Sequence, residues 1–313
     1  MKAARHPRLD RRVRFASLLS FSVSRRFDRS TLGILLVVPL LAVLLGLVAY
    51  PMLSAVLLSL QAKSAGVPGQ FIGLANYIAL FTRDSVILEV FGNTILYALA
   101  SVILKVIGGL AMALVLNEAL LGRNFFRGWL LLPWIVPTLV SALTFRWMFD
   151  QTGGVINFIL SGLGLVSMPL GWLATPELAR LSLILANAWR GFAFFGVTLL
   201  AGLQSIPLEL YEAAEIDGAG VWQRIWRITL PSLEPILWTI VILSTIWTFN
   251  DFTMVWIMTA GGPSYSTHLF ATYAYQIGFV GNQLGYAAAV SLVGTPLMVA
   301  LIAVLAPRMW KEE

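Results

Sequence analysis

The chain has 313 residues, of which 58% are hydrophobic and only 12% are charged. Soluble globular domains carry about 25% charged residues, so this composition excludes an ordinary soluble protein and indicates one embedded in a bilayer. The formal net charge of +6 does not indicate nucleic-acid binding, because nine of the 21 Lys and Arg residues lie before residue 30 and most others lie at the edges of apolar runs. The absence of cysteine and the presence of only two histidines exclude disulfides, thiolate chemistry and a His-based zinc site.

Residues 1–30 predict a basic N-terminal tail on the cytoplasmic side rather than a secretory signal peptide. The basic region and the apolar run that follows it are both too long for a signal sequence. Two interpretations of the tail stay open: an interfacial helix on anionic lipid, or an arm that only fixes orientation.

Six apolar runs follow the tail, and each is long enough to cross a membrane as a helix. Their approximate bounds are residues 32–60, 90–116, 129–149, 178–203, 236–259 and 286–306. The sequence therefore predicts an all-α fold, a polytopic membrane helical bundle with six transmembrane helices over residues 31–307, followed by a short C-terminus at 308–313. Residues 150–177 contain Gly and Pro clusters and predict an outer loop with short or re-entrant helices.

Proline and small residues predict local features of these helices. Pro39 and Pro51 are candidate kink points in the first run, and Pro133 and Pro137 predict that the third is bent or broken. The pairs Gly109/Ala113 and Gly285/Ala289 have the small-x-x-x-small spacing that lets helix backbones approach closely.

The distribution of basic residues predicts the orientation. Six spans place both termini on one side, which then holds the nine basic residues of the tail and two each from residues 117–128, 204–232 and 308–313. The loops on the opposite side hold three or four basic residues. By the positive-inside rule, the termini and the 204–232 segment lie in the cytoplasm.

The cytoplasmic segment 204–232 is patterned in a way that predicts a contact surface. A helix over LELYEAAE should begin at Pro207, break at Asp217-Gly218, and resume over VWQRIWRITL, with Pro231 where the next membrane helix begins. One interpretation is an amphipathic helix lying on the headgroups. The other is docking on a basic protein surface, which the three carboxylates Glu209, Glu212 and Glu215 favour because the cytoplasmic leaflet is anionic.

The same stretch, EAAEIDGAGVWQRIWRITLP, resembles the EAA loop of the membrane subunits of binding-protein-dependent ABC importers, of the form EAA-x3-G-x9-I-x-LP. The residues on the motif and its usual extension are Glu212, Ala213, Ala214, Asp217, Gly218, Ala219, Ile228, Leu230 and Pro231. Ile225 departs from the carbohydrate branch, which often has Phe there, and an apolar exchange should preserve docking. FIGLANYIALF, LAGLQSIP, and TAGGPSYST followed by GYAAA are similar to that branch, in particular to its maltose- and glycerol-phosphate-type first permease, so that the resemblance covers residues 32–306.

The resemblance implies a type I ABC importer permease fold in the bacterial inner membrane, and a sugar or sugar-like solute such as an oligosaccharide, polyol or glycerol phosphate. It implies that the segment is a coupling helix seated in a groove of an ATPase subunit. The implied partners are a second related permease, two ATPase subunits, an extracytoplasmic solute-binding protein and membrane lipid, with no nucleic acid. ATP and Mg would be bound by the ATPase, since this chain has no G-x-x-x-x-G-K-[ST]; no cofactor, metal or catalytic residue is expected in it.

Ionisable residues at membrane depth predict where a solute binds, because such residues usually face a cavity or a partner. Arg190, Asn250 and Asp251 are candidates for the substrate pathway, with aromatic neighbours Trp189, Phe194 and Trp247. An Arg190–Asp251 ion pair that only holds the bundle together is an equal alternative. Lys105 has no evident partner in the sequence.

Two other functions compete with an importer permease. A self-sufficient secondary transporter would use the mid-membrane charges as ion sites, but no convincing internal repeat supports it. A membrane enzyme would need a nucleophile, base or metal cluster, and the sequence offers none.

Overall fold

The computed structural model describes residues 29–118 and 121–308, with side chains over 33–118, 121–122 and 125–308. The predicted basic tail, up to residue 28, and residues 309–313 of the C-terminus lie outside the described residues. Two compact units divide the chain, one ending at Ser54 and the other beginning at Ala55.

The first unit contains the start of the first apolar span. Helix α1 (Arg29–Leu44) leads into a π-helical turn, Leu45–Ala49, and then into α2 (Tyr50–Ser59). The helix continues through Pro39, whereas the π turn ends two residues before Pro51, whose missing N–H interrupts the regular α-helical bonding.

The second unit is almost entirely helical. Its elements in chain order are β1 (Gln61–Ala62), β2 (Gln70–Phe71), α3 (Ala75–Thr82), α4 (Val86–Asn117), α5 (Arg123–Ile135), α6 (Thr138–Met148), α7 (Val155–Gly162), α8 (Pro176–Leu203), α9 (Leu208–Ile216), α10 (Val221–Arg224), α11 (Leu230–Phe249), α12 (Phe252–Thr259), α13 (Phe270–Tyr275) and α14 (Leu284–Leu305). One π turn, Ile225–Thr229, joins α10 to α11, and a second, Gln276–Val280, extends α13.

The described residues contain five helices that are long and apolar enough to cross a membrane, and a sixth span if α5 and α6 are counted as one. These two helices meet at a bend of 90°. The predicted break in the third span is therefore confirmed, and it lies at Val136-Pro137, while Pro133 is inside α5. The all-α bundle is confirmed as well, although the short β1–β2 hairpin and the short helices α3 and α13 were not predicted.

The fifth span differs from its prediction in two ways. It was expected to run through Asn250 and Asp251, but α11 ends at Phe249 and α12 begins at Phe252. The break arises because Asp251 caps α12, its Oδ1 accepting a hydrogen bond from the N–H of Met254 at 3.2 Å. The span was also expected to begin near Pro231, but a continuous helix starts at Val221, and the π turn just before Pro231 accommodates its missing N–H.

Three buried apolar clusters hold the second unit together. The first joins α4, α8 and α11 around Phe195 and Leu199. The second joins α4, α6, α8 and α12 around Met254, and the third joins α3, α4, α13 and α14 around Phe270. Helices α4 and α8 thus contribute to the core along much of their length.

Small residues allow α4 and α8 to approach closely, as the sequence predicted for Gly109. A Cβ atom at Gly109 would collide with Phe195 and with the backbone of Gly196, and a Cβ at Gly196 would collide with Met112. The second predicted contact, Gly285, lies against the backbone of Leu58 and Gln61.

We expect Gly109→Ala to destabilise the protein by about 1–3 kcal/mol, because the added methyl group overpacks a contact that includes backbone atoms. Gly92→Ala on the same helix is the matched control, since a Cβ atom there would meet nothing within 4 Å. Thermal unfolding in detergent should show a lower Tm for Gly109→Ala and an unchanged or slightly higher Tm for Gly92→Ala. Equal Tm values for the two variants would contradict the close approach of α4 and α8.

The β1–β2 hairpin marks one end of the second unit. Gly285 N donates to Lys63 O at 3.1 Å, and Ala65 N donates to Asn282 Oδ1 at 2.9 Å, so that the hairpin is joined to the start of α14. We refer to this end as the hairpin end. Helices α9 and α10 lie at the other end, because α8 and α11 each traverse the bundle from there.

Candidate functional site

The segment from Leu208 to Thr229 (the 208–229 segment) contains two helices joined by a sharp turn. Helix α9 ends in a Schellman motif, in which Ala219 N donates to Ala214 O at 2.8 Å and Gly218 N donates to Glu215 O at 3.0 Å. Gly218 has a φ of +76°, a left-handed conformation that disfavours residues with a side chain. The predicted break at Gly218 is thereby confirmed, and the two alanines occupy the positions whose side chains meet in this motif.

Two side-chain contacts hold the helices of this segment together. The hydroxyl groups of Tyr211 and Thr229 are 2.9 Å apart, and Arg224 Nη1 donates to Glu215 Oε2 at 3.4 Å. Glu215, one of the three carboxylates that favour a docking surface, pairs with Arg224. Because that pair is largely solvent-exposed, it orients the helices more than it stabilises them.

Much of the 208–229 segment is exposed. Five of the ten predicted coupling residues are exposed, namely Glu212, Ala213, Asp217, Gly218 and Pro231, as is Glu209. The other five, Ala214, Ala219, Ile225, Ile228 and Leu230, are half-buried. Six large apolar side chains of the segment are also exposed, and the most exposed of them are Ile216 (88%), Trp222 (75%) and Trp226 (67%). Exposed apolar side chains grouped with carboxylates are typical of an interaction surface.

Helices α4, α5, α6, α8, α11 and α12 line a cavity of about 200 Å³. Five of the six residues predicted for the substrate pathway line it: Arg190, Phe194, Trp247, Asn250 and Asp251. The sixth, Trp189, is not among the lining residues and packs edge-to-face on Phe145 with ring centroids 5.2 Å apart. The break between α11 and α12 places Asn250 and Asp251 in the wall.

Asp251 is held by neutral donors. Its Oδ2 accepts hydrogen bonds from the hydroxyl of Tyr97 at 2.8 Å and from Asn187 Nδ2 at 2.7 Å. The alternative of an Arg190–Asp251 ion pair is therefore wrong: Arg224–Glu215 is the salt bridge found among the described residues. Since α4, α8 and α12 all contribute groups to this cluster, Asp251 connects three helices at the cavity.

Two buried polar atoms of α8 lack a protein partner. Asn187 Oδ1, an acceptor, and Arg190 Nε, a donor, form no hydrogen bond within the described part of the chain. Both residues line the cavity and are one helical turn apart. Because buried polar groups are nearly always satisfied, an unpaired donor and acceptor beside a cavity indicate a place for a polar ligand or water.

Lys105 of α4 also lines the cavity, although no partner for it was evident in the sequence. Its side chain is buried, and Nζ donates to Thr248 Oγ1 at 2.8 Å and to Ser244 Oγ at 3.3 Å. Its methylene groups pack against Gly191, where any larger residue would collide with them. The signal available in the sequence was the pair of hydroxyl residues four apart in α11, which share one helix face.

Aromatic rings form another part of the cavity wall. Phe194 lies between Trp134 and Trp247, with centroid distances of 5.7 Å and 5.4 Å. The two tryptophans are about half exposed in this chain. The cavity thus combines a few polar groups with aromatic faces, the usual lining of a small-molecule site.

A second polar cluster fixes the hairpin end. Asp84, between α3 and α4, accepts hydrogen bonds from the hydroxyls of Tyr273 at 2.7 Å and Tyr286 at 2.9 Å. Burial and the adjacent Asp84 carboxylate raise the pKa of Tyr273, so that its hydroxyl remains a donor. Nearby, Arg180 Nε donates to Asn93 Oδ1 and to Ser266 O, which attaches the 260–269 turn to α4 and α8.

Comparison with known proteins gives one consistent result. The family described as "Binding-protein-dependent transport system inner membrane component" matches residues 105–311. The trehalose/maltose transport system permease protein MalF of Thermococcus litoralis is 37% identical over 269 residues, which cover 86% of this chain and 90% of that protein. The sulfoquinovosyl glycerol transport system permease protein SmoG of Agrobacterium fabrum is 36% identical over 275 residues, which cover 87% of this chain and 88% of that protein.

A solved structure shares the fold. A chain in the crystal structure of a bacterial ABC transporter involved in the import of the acidic polysaccharide alginate superposes with a TM-score of 0.77 at 24% identity, covering 91% of this chain and 97% of that one. This structural similarity shows only the type I importer permease fold. The family match and the two relatives show to which protein family the chain belongs. The chain belongs to the family of binding-protein-dependent transport system inner membrane components and is a permease subunit of an ABC transporter.

Proposed function

We propose that this chain forms half of the translocation pathway of an ATP-driven importer for a sugar or sugar-like solute, and that an ATPase subunit drives it through the 208–229 segment. The solute class rests on the two relatives named for trehalose/maltose and sulfoquinovosyl glycerol transport, and on the aromatic and polar lining of the cavity. The family assignment favours this function over a secondary transporter.

The orientation follows from the excess of basic residues around the 208–229 segment and the termini. The positive-inside rule places these parts in the cytoplasm and the hairpin end outside, in a bacterial inner membrane. Because this chain lacks an ATP-binding motif, an ATP-driven mechanism requires a separate ATPase, and this ATPase is the proposed cytoplasmic partner. Six spans make half a pore, so a second related permease completes it, with a second ATPase beneath and a solute-binding protein at the hairpin end.

One observation carries the proposal: a single continuous helix connects the exposed segment to the cavity. It runs from Val221 to Phe249, 29 residues or about 43 Å, and ends at the Asn250–Asp251 break in the cavity wall. Movement imposed on α9 and α10 by an ATPase would therefore shift the position of Asn250 and Asp251 directly. The exposed Ile216, Trp222 and Trp226 supply apolar anchors, and Glu212 and Asp217 supply charge-assisted hydrogen bonds for a basic groove.

The cavity is the proposed solute site. Arg190 and Asn187 offer an unpaired donor and an unpaired acceptor for hydroxyl groups, while Phe194 and Trp247 offer aromatic faces for C–H surfaces. Asp251, positioned by Tyr97 and Asn187, and Asn250 lie at the helix break and can change position when the helix moves.

The docking role is tested with a matched pair of substitutions in the complex co-expressed with its ATPase. Ile216→Asp removes the most exposed of the apolar anchors and should lower ATPase co-purification and sugar-stimulated ATP hydrolysis about tenfold or more, as for a central interface residue. Leu165→Asp is the control, because Leu165 is also an exposed aliphatic residue (67%) and lies in the 150–177 loop at the opposite end. Equal retention of the ATPase by both variants, or uptake by this chain without any ATPase, would overturn the proposed coupling.

A further inference from the structure

Four aromatic side chains form a continuous line that starts at the cavity. Phe252 and Trp256 of α12 stack with ring centroids 5.7 Å apart, Trp256 meets Tyr275 of α13 edge-on at 4.7 Å, and Tyr275 stacks on Phe279 at 5.0 Å. We call these four residues the aromatic ladder. Phe252 also contacts Tyr275 directly at 5.0 Å, so that each ring touches at least one other.

The aromatic ladder is not part of the hydrophobic core. None of its members belongs to the three buried clusters, all four are at least partly exposed, and Phe279 is 72% exposed. By contrast, the core pair Phe249 and Phe270 is stacked at 5.9 Å with each ring 3% exposed. Rings that are aligned but left open on one side are suited to contact something other than this chain.

The aromatic ladder runs from the cavity to the hairpin end. Helix α13 lies antiparallel to α14, because Phe270 packs on Gly294, deep in α14, whereas Gly278 packs on Ala287, near its start. Leu284 and Gly294 are separated by ten residues, or about 15 Å along the helix. Phe252 lies beside the cavity, and Phe279 lies near the end of the segment formed by α13 and its π turn. The four rings therefore extend over a similar distance along α14.

A groove of about 420 Å³ follows the same course. Small residues of α13 and α14, including Ala274, Gly278 and Ala287, leave space beside Tyr275 and Phe279. Phe252 lines both this groove and the cavity, which makes the two spaces neighbours. Small-molecule sites usually measure about 300–1,000 Å³, so the cavity alone is small for one, whereas cavity and groove together fall within that range.

We propose that the aromatic ladder is a binding track for a linear oligosaccharide of two or more sugar rings, leading from the hairpin end into the cavity. This inference rests on the proposed function and specifies its substrate class. The C–H faces of successive sugar rings stack on the aromatic side chains, while their hydroxyl groups face the Tyr275 hydroxyl and Ser291 at the groove and the polar atoms of Asn187 and Arg190 at the cavity. A lipid chain fits the groove less well, because the line of rings ends at a cavity that contains Lys105, Arg190 and Asp251.

The first test uses the natural absence of cysteine in this chain. Tyr275→Cys and Phe279→Cys are introduced singly, and the full complex in proteoliposomes is treated from the hairpin side with a membrane-impermeant sulfonated thiol reagent. A sugar track predicts labelling of both, and at least fivefold slower labelling of Tyr275→Cys when maltotriose and the binding protein are present. Ser161→Cys, at an exposed position in the last turn of α7, should be labelled at a rate that maltotriose does not change.

The second test measures uptake. Tyr275→Leu should raise the KM for maltotriose about threefold to tenfold through loss of ring stacking, whereas Tyr275→Phe, which keeps the ring, should not. Uptake is compared across glycerol 3-phosphate, glucose, maltose, trehalose and maltotriose. The unmodified complex should import one or more of the multi-ring sugars.

The outcomes separate the two proposals. If Tyr275→Cys and Phe279→Cys resist labelling in every nucleotide state, the groove is covered by lipid or by the second permease and the track is wrong, while ATP-driven sugar import can still be observed. Import restricted to glucose or glycerol 3-phosphate also overturns the track but leaves the proposed function intact. A complex with active ATPase that imports none of these solutes or any other carbohydrate overturns the proposed function and the track together.

Discussion

Replacing Gly218 by alanine is expected to lower ATPase co-purification and sugar-stimulated ATP hydrolysis about tenfold. The reason is conformational: Gly218 has a φ of +76°, and a Cβ atom in the left-handed region costs about 1–2 kcal/mol, which is a factor of roughly five to thirty in the population of the docking-competent turn. A side chain at this position would meet no other atom of this chain within 4 Å, so the strain is in the backbone alone. The measurement is ATP hydrolysis and uptake by the complex in proteoliposomes.

Two further variants isolate the cause of the Gly218 effect. Gly220→Ala is the matched control, because Gly220 is also free of neighbours within 4 Å but has a φ of −67° that any residue adopts. Gly218→Asn restores a residue that tolerates the left-handed conformation and should recover part of the coupling if strain is the cause. No recovery with Asn would indicate that the ATPase approaches Gly218 too closely for a side chain. Full activity of Gly218→Ala would show that the turn is not needed for docking.

The 208–229 segment was predictable because its chemistry is local. A proline before a helix, a glycine at its end and a second amphipathic stretch specify two helices and a turn within about twenty residues. The two contacts that close the segment, Tyr211–Thr229 and Arg224–Glu215, were not predicted, since they depend on the angle at which the turn sets the helices.

The membrane spans were predictable from hydropathy, but the break at residues 250–251 was not. Apolar residues flank Asn250 and Asp251 on both sides, so the apolar run reads as uninterrupted. What ends α11 is a tertiary feature, because Asp251 both caps α12 and accepts hydrogen bonds from Tyr97 and Asn187, which lie in other helices. An intramembrane carboxylate was expected to face a cavity, and Asp251 lines one, yet its partners came from parts of the chain that sequence spacing does not connect.

The same limit applies to Lys105 and to the aromatic ladder. Lys105 meets residues 139 and 143 positions later in the chain. The rings of the ladder come from α12 and from the α13 segment, which are brought together only by the turn between them. Individually these aromatic residues are typical of any membrane protein, and only their alignment beside the cavity distinguishes them.

Asp251→Ala is expected to reduce uptake below detection and also to lower the yield of assembled complex. The substitution leaves the Tyr97 hydroxyl and the Asn187 amide without their acceptor, and each unsatisfied buried group costs about 1–3 kcal/mol. It also removes the cap of α12. Since loss of assembly alone would explain a loss of uptake, a subtler change is needed to test whether the carboxylate itself belongs to the pathway.

Asp251→Asn provides that change, because it keeps the shape and one oxygen able to cap α12. The new amide opposes the amide of Asn187, so we expect assembly to be nearly retained and uptake to fall about tenfold or more. Adding Asn187→Asp to this variant restores a donor–acceptor pair, with the negative charge now on residue 187 instead of residue 251. Assembly restored without uptake in this double variant would place the carboxylate of Asp251 in the pathway. Restored uptake in the double variant would instead assign the Asp251 carboxylate a role in positioning α12 against α8. Unchanged uptake and ATP hydrolysis in Asp251→Asn alone would remove this carboxylate from the solute site.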